Sequence, residues 1–416
     1  MRAAGLHVEP ALLLSIAVLT LLPPVAWPQG NPLGPEFRVN TYTTGEQDTA
    51  AISADASGNF VVVWRSDGGD GSGFALFGQR YASSGVPFGP EFRVNTYTPG
   101  NQENPSIASD ASGNFVVVWE SPDGSFDGIS GQRYASSGVA LGAEFRVNAA
   151  TTTGSQTIPS VATDLLGNFV VVWLNTGPNY GIAGQRFASS GAPLGPEFRV
   201  NTFTPGANAP SVARDASGGF VVVWENVVQD GSFDGVYGQR YAASGVPLGP
   251  EFRVNTVTTD YQNGSEVATD ASGNFVVVWH SYAPLGAVFH GIFGQRFANS
   301  GLPLGPEFRV NTTTGNAIWL YPSVASDSSG NFVVAWDYVG DVFGQRFASS
   351  GVPMGPEFRV NTHTTSFQFV PSVGVDAAGA FIVVWTSNQQ DGSSDGVFGQ
   401  RFGPIVPVEL MHLSIE

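Results

Sequence analysis

Five residues, Phe-Val-Val-Val-Trp, constrain this chain more than any other feature. They stand first at Phe60 to Trp64, return at Phe115, Phe169, Phe220 and Phe275, and recur as close variants at Phe332 and Phe381. The steps between those Phe residues are 55, 54, 51, 55, 57 and 49. A period of that size is the mark of propeller blades or solenoid units, each unable to bury its apolar face alone. One ring-like domain is therefore expected from 416 residues, where length alone would suggest two or three.

Within a unit the residues read as strands. In the second, Pro105 to Asp110 is a short strand, Ala111-Ser-Gly-Asn114 a turn, and Phe115 to Trp119 a β-branched and aromatic run. Gly128 to Tyr134 follows, then the turn Ala135-Ser-Ser-Gly138, then Glu144-Phe-Arg-Val-Asn148. The pentad is apolar throughout, as suits a strand covered on both faces, whereas Glu-Phe-Arg-Val-Asn alternates and suits an outer edge. The expectation is an all-β, seven-bladed propeller of four-stranded antiparallel blades over residues 34–402. A β-solenoid competes, but it has shorter repeats and parallel ladders. The last unit lacks its own Glu-Phe-Arg strand, and Glu36 to Asn40 precedes any pentad, so the N-terminal strand is expected to close the ring. Blades should begin near Ala50, Pro105, Pro159, Pro210, Ser265, Pro322 and Pro371, with 403–416 a tail outside the repeat.

Composition excludes several chemistries. There is no Cys, hence no thiol nucleophile, thiolate metal site or disulfide, and all 17 basic residues are Arg, hence no lysine Schiff base and no P-loop lysine. Residues 1–30 read as an export signal: Arg2, the apolar run Ala11 to Leu22, then Pro23-Pro24, with Ala26 and Gly30 offering small residues for cleavage. That run is too short to span a bilayer. A secreted, periplasmic or cell-surface protein is expected, and a monomer.

Two loops hardly vary between units: Asp-Ala-Ser-Gly-Asn, and Ala-Ser-Ser-Gly. The other two vary freely, and alternate connections of an antiparallel blade lie at opposite ends, so the variable loops share one face. Binding residues on a rigid scaffold concentrate in such loops. Once the 14 acids and 14 Arg of the repeat are set aside, 20 acids and three Arg remain, the whole of the net charge of −17. Most of those acids follow the pentads, so the variable face should be acidic, repelling nucleic acid and favouring cations or basic partners.

Candidate sites follow from what departs from the repeat. Asp67, Asp70, Asp123, Asp127, Asp230, Asp234, Asp391 and Asp395 offer hard oxygen ligands on flexible loops, as calcium requires, although the alternating acidic run and closing Glu of a strong calcium motif are missing and Asp-Gly is also turn chemistry. Trp319 and Tyr321 lie outside the register and are ligand-contact candidates, whereas the seven repeat Trp are expected to pack between blades. His280 and His290 share one loop, but zinc would need further ligands. The recurring Glu and Arg suggest cross-strand ion pairs, and the Gly before Gln-Arg a bulge or a close approach of backbones.

In Phe-Arg-Val-Asn-Thr, Asp-Ala-Ser-Gly-Asn-Phe-Val-Val-Val-Trp and Phe-Gly-Gln-Arg-Phe, the chain resembles a broad group of secreted bacterial β-propeller-like repeat proteins; the resemblance implies the fold and no activity. The Asp-box spacing of sialidases and the calcium-ligating Asp series of integrin-like repeats are both absent at Asp110 to Phe115. The expected function is a binding or adhesion module, not an enzyme, meeting an extracellular protein, a glycan or cations through the acidic face. The alternatives are an enzyme acting on extracellular glycan or polymer, with acids converging on the central channel, and a purely structural envelope protein.

Overall fold

The computed structural model describes residues 31–404 apart from 125, 151, 204–205, 228, 260, 283–290 and 314–320, so the leader-like segment, Trp319, His290 and most of the tail lie outside the described residues. Twenty-eight strands among the described residues pair into seven four-stranded antiparallel sheets. Blade 1 comprises Gln47–Ala54, Phe60–Asp67, Phe74–Tyr81 and Phe92–Arg93, hydrogen-bonded in that order. The first strand of every sheet packs on the first strands of both neighbouring sheets, so these strands form the inner ring around the axis. In the seventh sheet the outer strand is Phe37–Arg38, pairing with Gly399 and Phe398. The expected N-terminal closure is therefore present, and Glu36 to Asn40 belongs to the seventh blade.

The pentad is the second strand, and its period of two serves both blade interfaces. Phe60, Val62 and Trp64 pack toward blade 7, Val61 and Val63 toward blade 2. All seven Trp are at most 1% exposed, which confirms packing between blades.

The inner strands begin a few residues earlier than the sequence suggests, at Gln47, Glu103, Gln156, Ala207, Tyr261 and Gln368 in six blades. Each of these six carries a bulge, between Asp48 and Ala51 in blade 1, for example, which places an extra residue in the ladder and hides the strand's early half from a period-two reading. The Gly before Gln-Arg is no bulge. A Cβ on Gly184 would stand 2.7 Å from the Phe198 ring, and the same overlap recurs in all seven blades, so this Gly is a seat for the Phe of Glu-Phe-Arg.

The outer strand is only Phe-Arg, because Asn then takes over from the backbone: Asn95 Oδ1 accepts from Leu76 N at 2.9 Å, and equivalent Asn side chains do so around the ring. The ion pairs of these Arg run to Asp and not to the repeated Glu: Arg146 pairs with Asp123 and Arg359 with Asp341. In six blades the Glu of Glu-Phe-Arg instead accepts from the Thr that follows Asn in the preceding blade, as Glu91 accepts Thr41 N at 2.8 Å and Thr41 Oγ1 at 2.9 Å, and Glu36 accepts from Thr362 across the closure; Glu197 accepts from Ala150 N. The Arg of Gly-Gln-Arg reaches forward: Arg80 donates to Ser136 O at 2.8 Å and Arg133 to Ser189 O at 2.6 Å, in the Ala-Ser-Ser-Gly turn of the next blade. Arg346 has no such turn ahead of it, since the seventh outer strand comes from the other end of the chain, and its Nε is buried without a hydrogen-bond partner among the described residues. Charge in this fold ties blade to blade through backbone groups.

Candidate active site

The two constant loops do share one face: Asn59 of one accepts a hydrogen bond from Ser83 N of the other, and four further blades repeat the contact. The variable loops occupy the opposite end. The clefts on the constant face lie between blades 2 and 3, 4 and 5, and 5 and 6, lined by equivalent residues such as Arg133 and Ser189, Arg240 and Asn299, or Arg296 and Ser349. They come with the repeat and mark no one place. A site must be sought where the ring departs from its own symmetry.

Two ring positions show the departure. The first is on the inner strand, opposite the fourth pentad residue, where the register places Ala51, Ser106, Ser160, Ser211, Glu266, Ser323 and Ser372. Four of these Ser accept a hydrogen bond from a backbone N–H of the next inner strand, for instance Ser211 from Val267 N. Glu266 alone brings a charge to this small-residue ring. Its Oε2 accepts from Ser211 Oγ at 3.0 Å. The carboxyl keeps some contact with solvent but is crowded by protein on all sides; burial pushes it up to about 7 against the opposing Ser211 bond.

The second position follows the pentad Trp and holds Arg65, Glu120, Leu174, Glu225, His280, Asp337 and Thr386; Glu120 and Glu225 accept from backbone N–H groups at the bulge of the next blade's inner strand. Glu225 reaches from blade 4 into blade 5, accepting from Gly264 N and Ser265 N, the two residues before Glu266. Burial, then the charge of Asp234, raise its carboxyl to about 7. Asp337, in blade 6, accepts from Tyr321 N at 2.9 Å, and burial raises it to about 6. Tyr321 is 47% exposed, and burial, Asp337 and Glu225 in that order raise its phenol. Glu225 and Asp234 also act on Tyr282 after the larger effects of burial and Tyr261. Blades 4 to 6 thus carry, at the variable end of the ring, a set of carboxyls and phenols that share one field.

Beside it four rings stack. Phe233 lies 4.5 Å from Tyr261 at 29°, Tyr261 4.8 Å from Tyr282 at 9°, and His280 5.2 Å from Tyr282 at 22°. Phe233 is 43% exposed and His280 1%. His280 is thus a strand residue inside the protein.

The structure keeps Tyr321 in this region but scatters the expected metal ligands. Asp70, Asp230 and Asp391 each accept from the N–H two residues on, at Ser72, Ser232 and Ser393, as turn-forming Asp residues do. Asp123 pairs with Arg146, Asp395 accepts from Asn388 Nδ2 at 2.8 Å, Asp127 and Asp234 open third strands, and Asp67 ends a second strand. Among the described residues no three His, Asp or Glu converge to hold a metal. Glu225, Glu266, Asp337 and the stacked rings are invisible to a comparison of loops, because each is a single exchange inside or beside a strand; Glu266 in place of Ser was the available signal.

No family model and no curated protein matches the chain. Solved structures do. A protein of unknown function from Dyadobacter fermentans superposes with a TM-score of 0.54 at 11% identity, over 89% of this chain and 98% of that one. An α-L-arabinanase of Penicillium chrysogenum, solved with arabinobiose, gives 0.53 at 12%, over 73% and 94%. The polysaccharide lyase Uly1 gives 0.51 at 11%, over 91% and 94%. At such identities the likeness is one of fold. It nevertheless overturns the expectation of a non-enzymatic module, because propellers of this shape include an arabinanase and a polysaccharide lyase.

Proposed function

We propose that the protein is an exported enzyme acting on an extracellular glycan, with its site between mid-height of the inner ring and its variable end, over blades 4 to 6. The observation that carries this reading is the single carboxyl, Glu266, in a ring otherwise of Ser and Ala, with a second carboxyl, Asp337, held one blade away at a lower proton affinity. Two carboxyls pushed to different values divide the work of glycosidic cleavage. Burial raises both carboxyls above the ordinary range, so that either can carry a proton near neutral pH. Glu266 then delivers a proton to the departing oxygen while Asp337 takes one from the attacking water, so that water is split across the bond. Glu225 is a positioning residue, fixing the Gly264–Ser265 backbone that carries Glu266. The solved arabinanase and polysaccharide lyase support a glycan as the substrate class, and the leader-like residues 1–30 support export.

Glycan binding without turnover is the second reading. It is favoured by Glu120, which caps the Ile158 bulge of blade 3 as Glu225 caps blade 5 and is likewise raised by burial, with Glu103 and Asp127 and none of the carboxyls of blades 4 to 6 acting on it. The test is turnover of neutral and acidic polysaccharides, read as new reducing ends and as the absorbance of unsaturated products, by the wild type, Glu266→Gln and Asp337→Asn. Each variant is expected to lose at least 100-fold in kcat, in the range general acid–base catalysis supplies, with an unfolding midpoint no lower than that of the wild type. Equal turnover in all three would remove both residues from the mechanism.

A further inference from the structure

Most aromatic contacts in this protein belong to the repeat: a Phe from each outer strand lies against a stacked pair in the next blade, as Phe37 does against Phe60 and Tyr81, seven times over. The stack Phe233, Tyr261, Tyr282, His280 does not. Tyr261 and Tyr282 face each other in register at the variable end of blade 5, where other blades place Ser155 and Thr176, Gly206 and Val227, or Phe367 and Asn388. Phe233 arrives from the preceding blade and adds the third ring. The stack thus bridges two blades, is anchored at its buried end by His280, and presents a partly open aromatic face at the other.

We infer that this stack is the platform on which an uncharged sugar residue of the substrate lies, an inference that rests on the catalytic reading for its neighbouring carboxyls. The near-parallel rings are already ordered, so a ligand does not have to immobilise them, and a flat π-face is complementary to the row of C–H bonds on one side of a sugar ring. The hydroxyls at the sugar's edge require acceptors. Asp230, three residues before Phe233, is the acceptor within reach once its side chain turns outward: its Oδ2 has no hydrogen-bond partner among the described residues, whereas the equivalent oxygens of Asp70 and Asp391 accept from Asn95 and Asn40. The charge around the platform sets the class of sugar. Asp230, Asp234 and Glu225 flank it, and a uronate or sulfated residue would bring a further negative charge to that field. A neutral glycan meets no such repulsion.

The experiment is affinity electrophoresis in native gels containing arabinan, galactan or mannan as neutral polymers, or polygalacturonate or alginate as anionic ones. Wild type, Phe233→Ala, Asp230→Asn and Glu266→Gln are run side by side, and cleavage kinetics are measured on the same polymers. A neutral polymer is expected to retard wild type and Glu266→Gln equally, and Phe233→Ala to weaken that retention at least ten-fold in Kd. Polyuronates are expected to retard none of them. Retention by no neutral polymer, retention by polyuronates, or full retention by Phe233→Ala would overturn the platform. The two readings fail separately. Cleavage by Phe233→Ala with an unchanged KM, beside an inactive Glu266→Gln, would sink the platform and leave the catalytic pair standing. Retention lost in Phe233→Ala, with no cleavage by the wild type of any polymer, would sink catalysis and leave a sugar-binding site.

Discussion

Replacing Glu225 by Gln isolates the cost of holding a carboxyl between blades 4 and 5. The side chain is 8% exposed and rises to about 7 from an ordinary Glu value of 4.5, chiefly through burial. The folded state therefore holds the proton more tightly than the unfolded chain. Below about pH 4.5 both states are protonated and nothing is lost; as pH rises through 7 the unfolded chain ionises freely while the fold must bury a charge, so stability falls across that window and levels off above it. A tenfold difference in proton affinity between the two states is worth about 1.4 kcal/mol, which makes the loss roughly 3 kcal/mol, or about 4 °C in midpoint for a chain of this size. Gln keeps an oxygen for Gly264 N and Ser265 N but carries no charge. Thermal unfolding of both proteins at pH 4.5, 5.5, 6.5 and 8 should show the midpoints close at the acid end and Glu225→Gln progressively ahead above it. A difference that stays constant with pH would refute the reasoning, since it would mean that the N–H donors fully compensate the buried charge.

The remaining expectations concern scaffold and site alike. Glu144→Ala removes the acceptor for Thr96 N, Thr96 Oγ1 and Tyr97 N at a blade joint and should cost about 1–2 kcal/mol in urea unfolding. Gly184→Ala drives a methyl into the Phe198 ring and should cost about 1–3 kcal/mol, with no change in the far-ultraviolet spectrum of the protein that does fold. Arg346→Met should leave the unfolding midpoint unchanged or raise it, because it deletes a buried guanidinium whose Nε has no partner among the described residues, whereas Arg133→Met, which breaks bonds to Ser189 O and Leu141 O, should lower it. Millimolar calcium should not shift the midpoint, since the loop Asp residues are turned onto their own N–H groups or onto Arg and Asn.

The scaffold was legible because it is written seven times. A pentad buried on both faces, two constant turns and a displaced first Glu-Phe-Arg are enough to order four strands and close the ring, and the pairing of Phe37 with Gly399 is that closure. What repetition could not convey is which partner each constant residue meets. The Glu of Glu-Phe-Arg looks like half of an ion pair because a suitable Arg stands two residues on, yet its partners are the N–H and hydroxyl after Asn in another blade, about 50 residues away in sequence. The inner bulge was hidden for a related reason: it disrupts the alternation by which strands are recognised, and only the ladder opposite, Asp48 to Arg65 and Ala51 to Val63, reveals it.

For the site the logic inverts. Loops were expected to carry function because they vary, but the Asp-rich loops vary around a shared turn chemistry and never converge, since each belongs to a different blade. Glu266 varies within a strand, at a place where small side chains are the rule because neighbouring inner strands bond through them. Burial raises the proton affinity of Glu266 there, as burial raises Glu225 and Asp337 where they stand, and each weakens the fold at neutral pH. A repeat that needed only to be stable would have kept Ser at that position, as four blades with a bonded Ser already do. That departure is the observation from which the proposed use of Glu266 as a readily protonated carboxyl starts, and the stacked rings at the variable end of the same blade suit a ligand with an apolar face and hydroxyl edges.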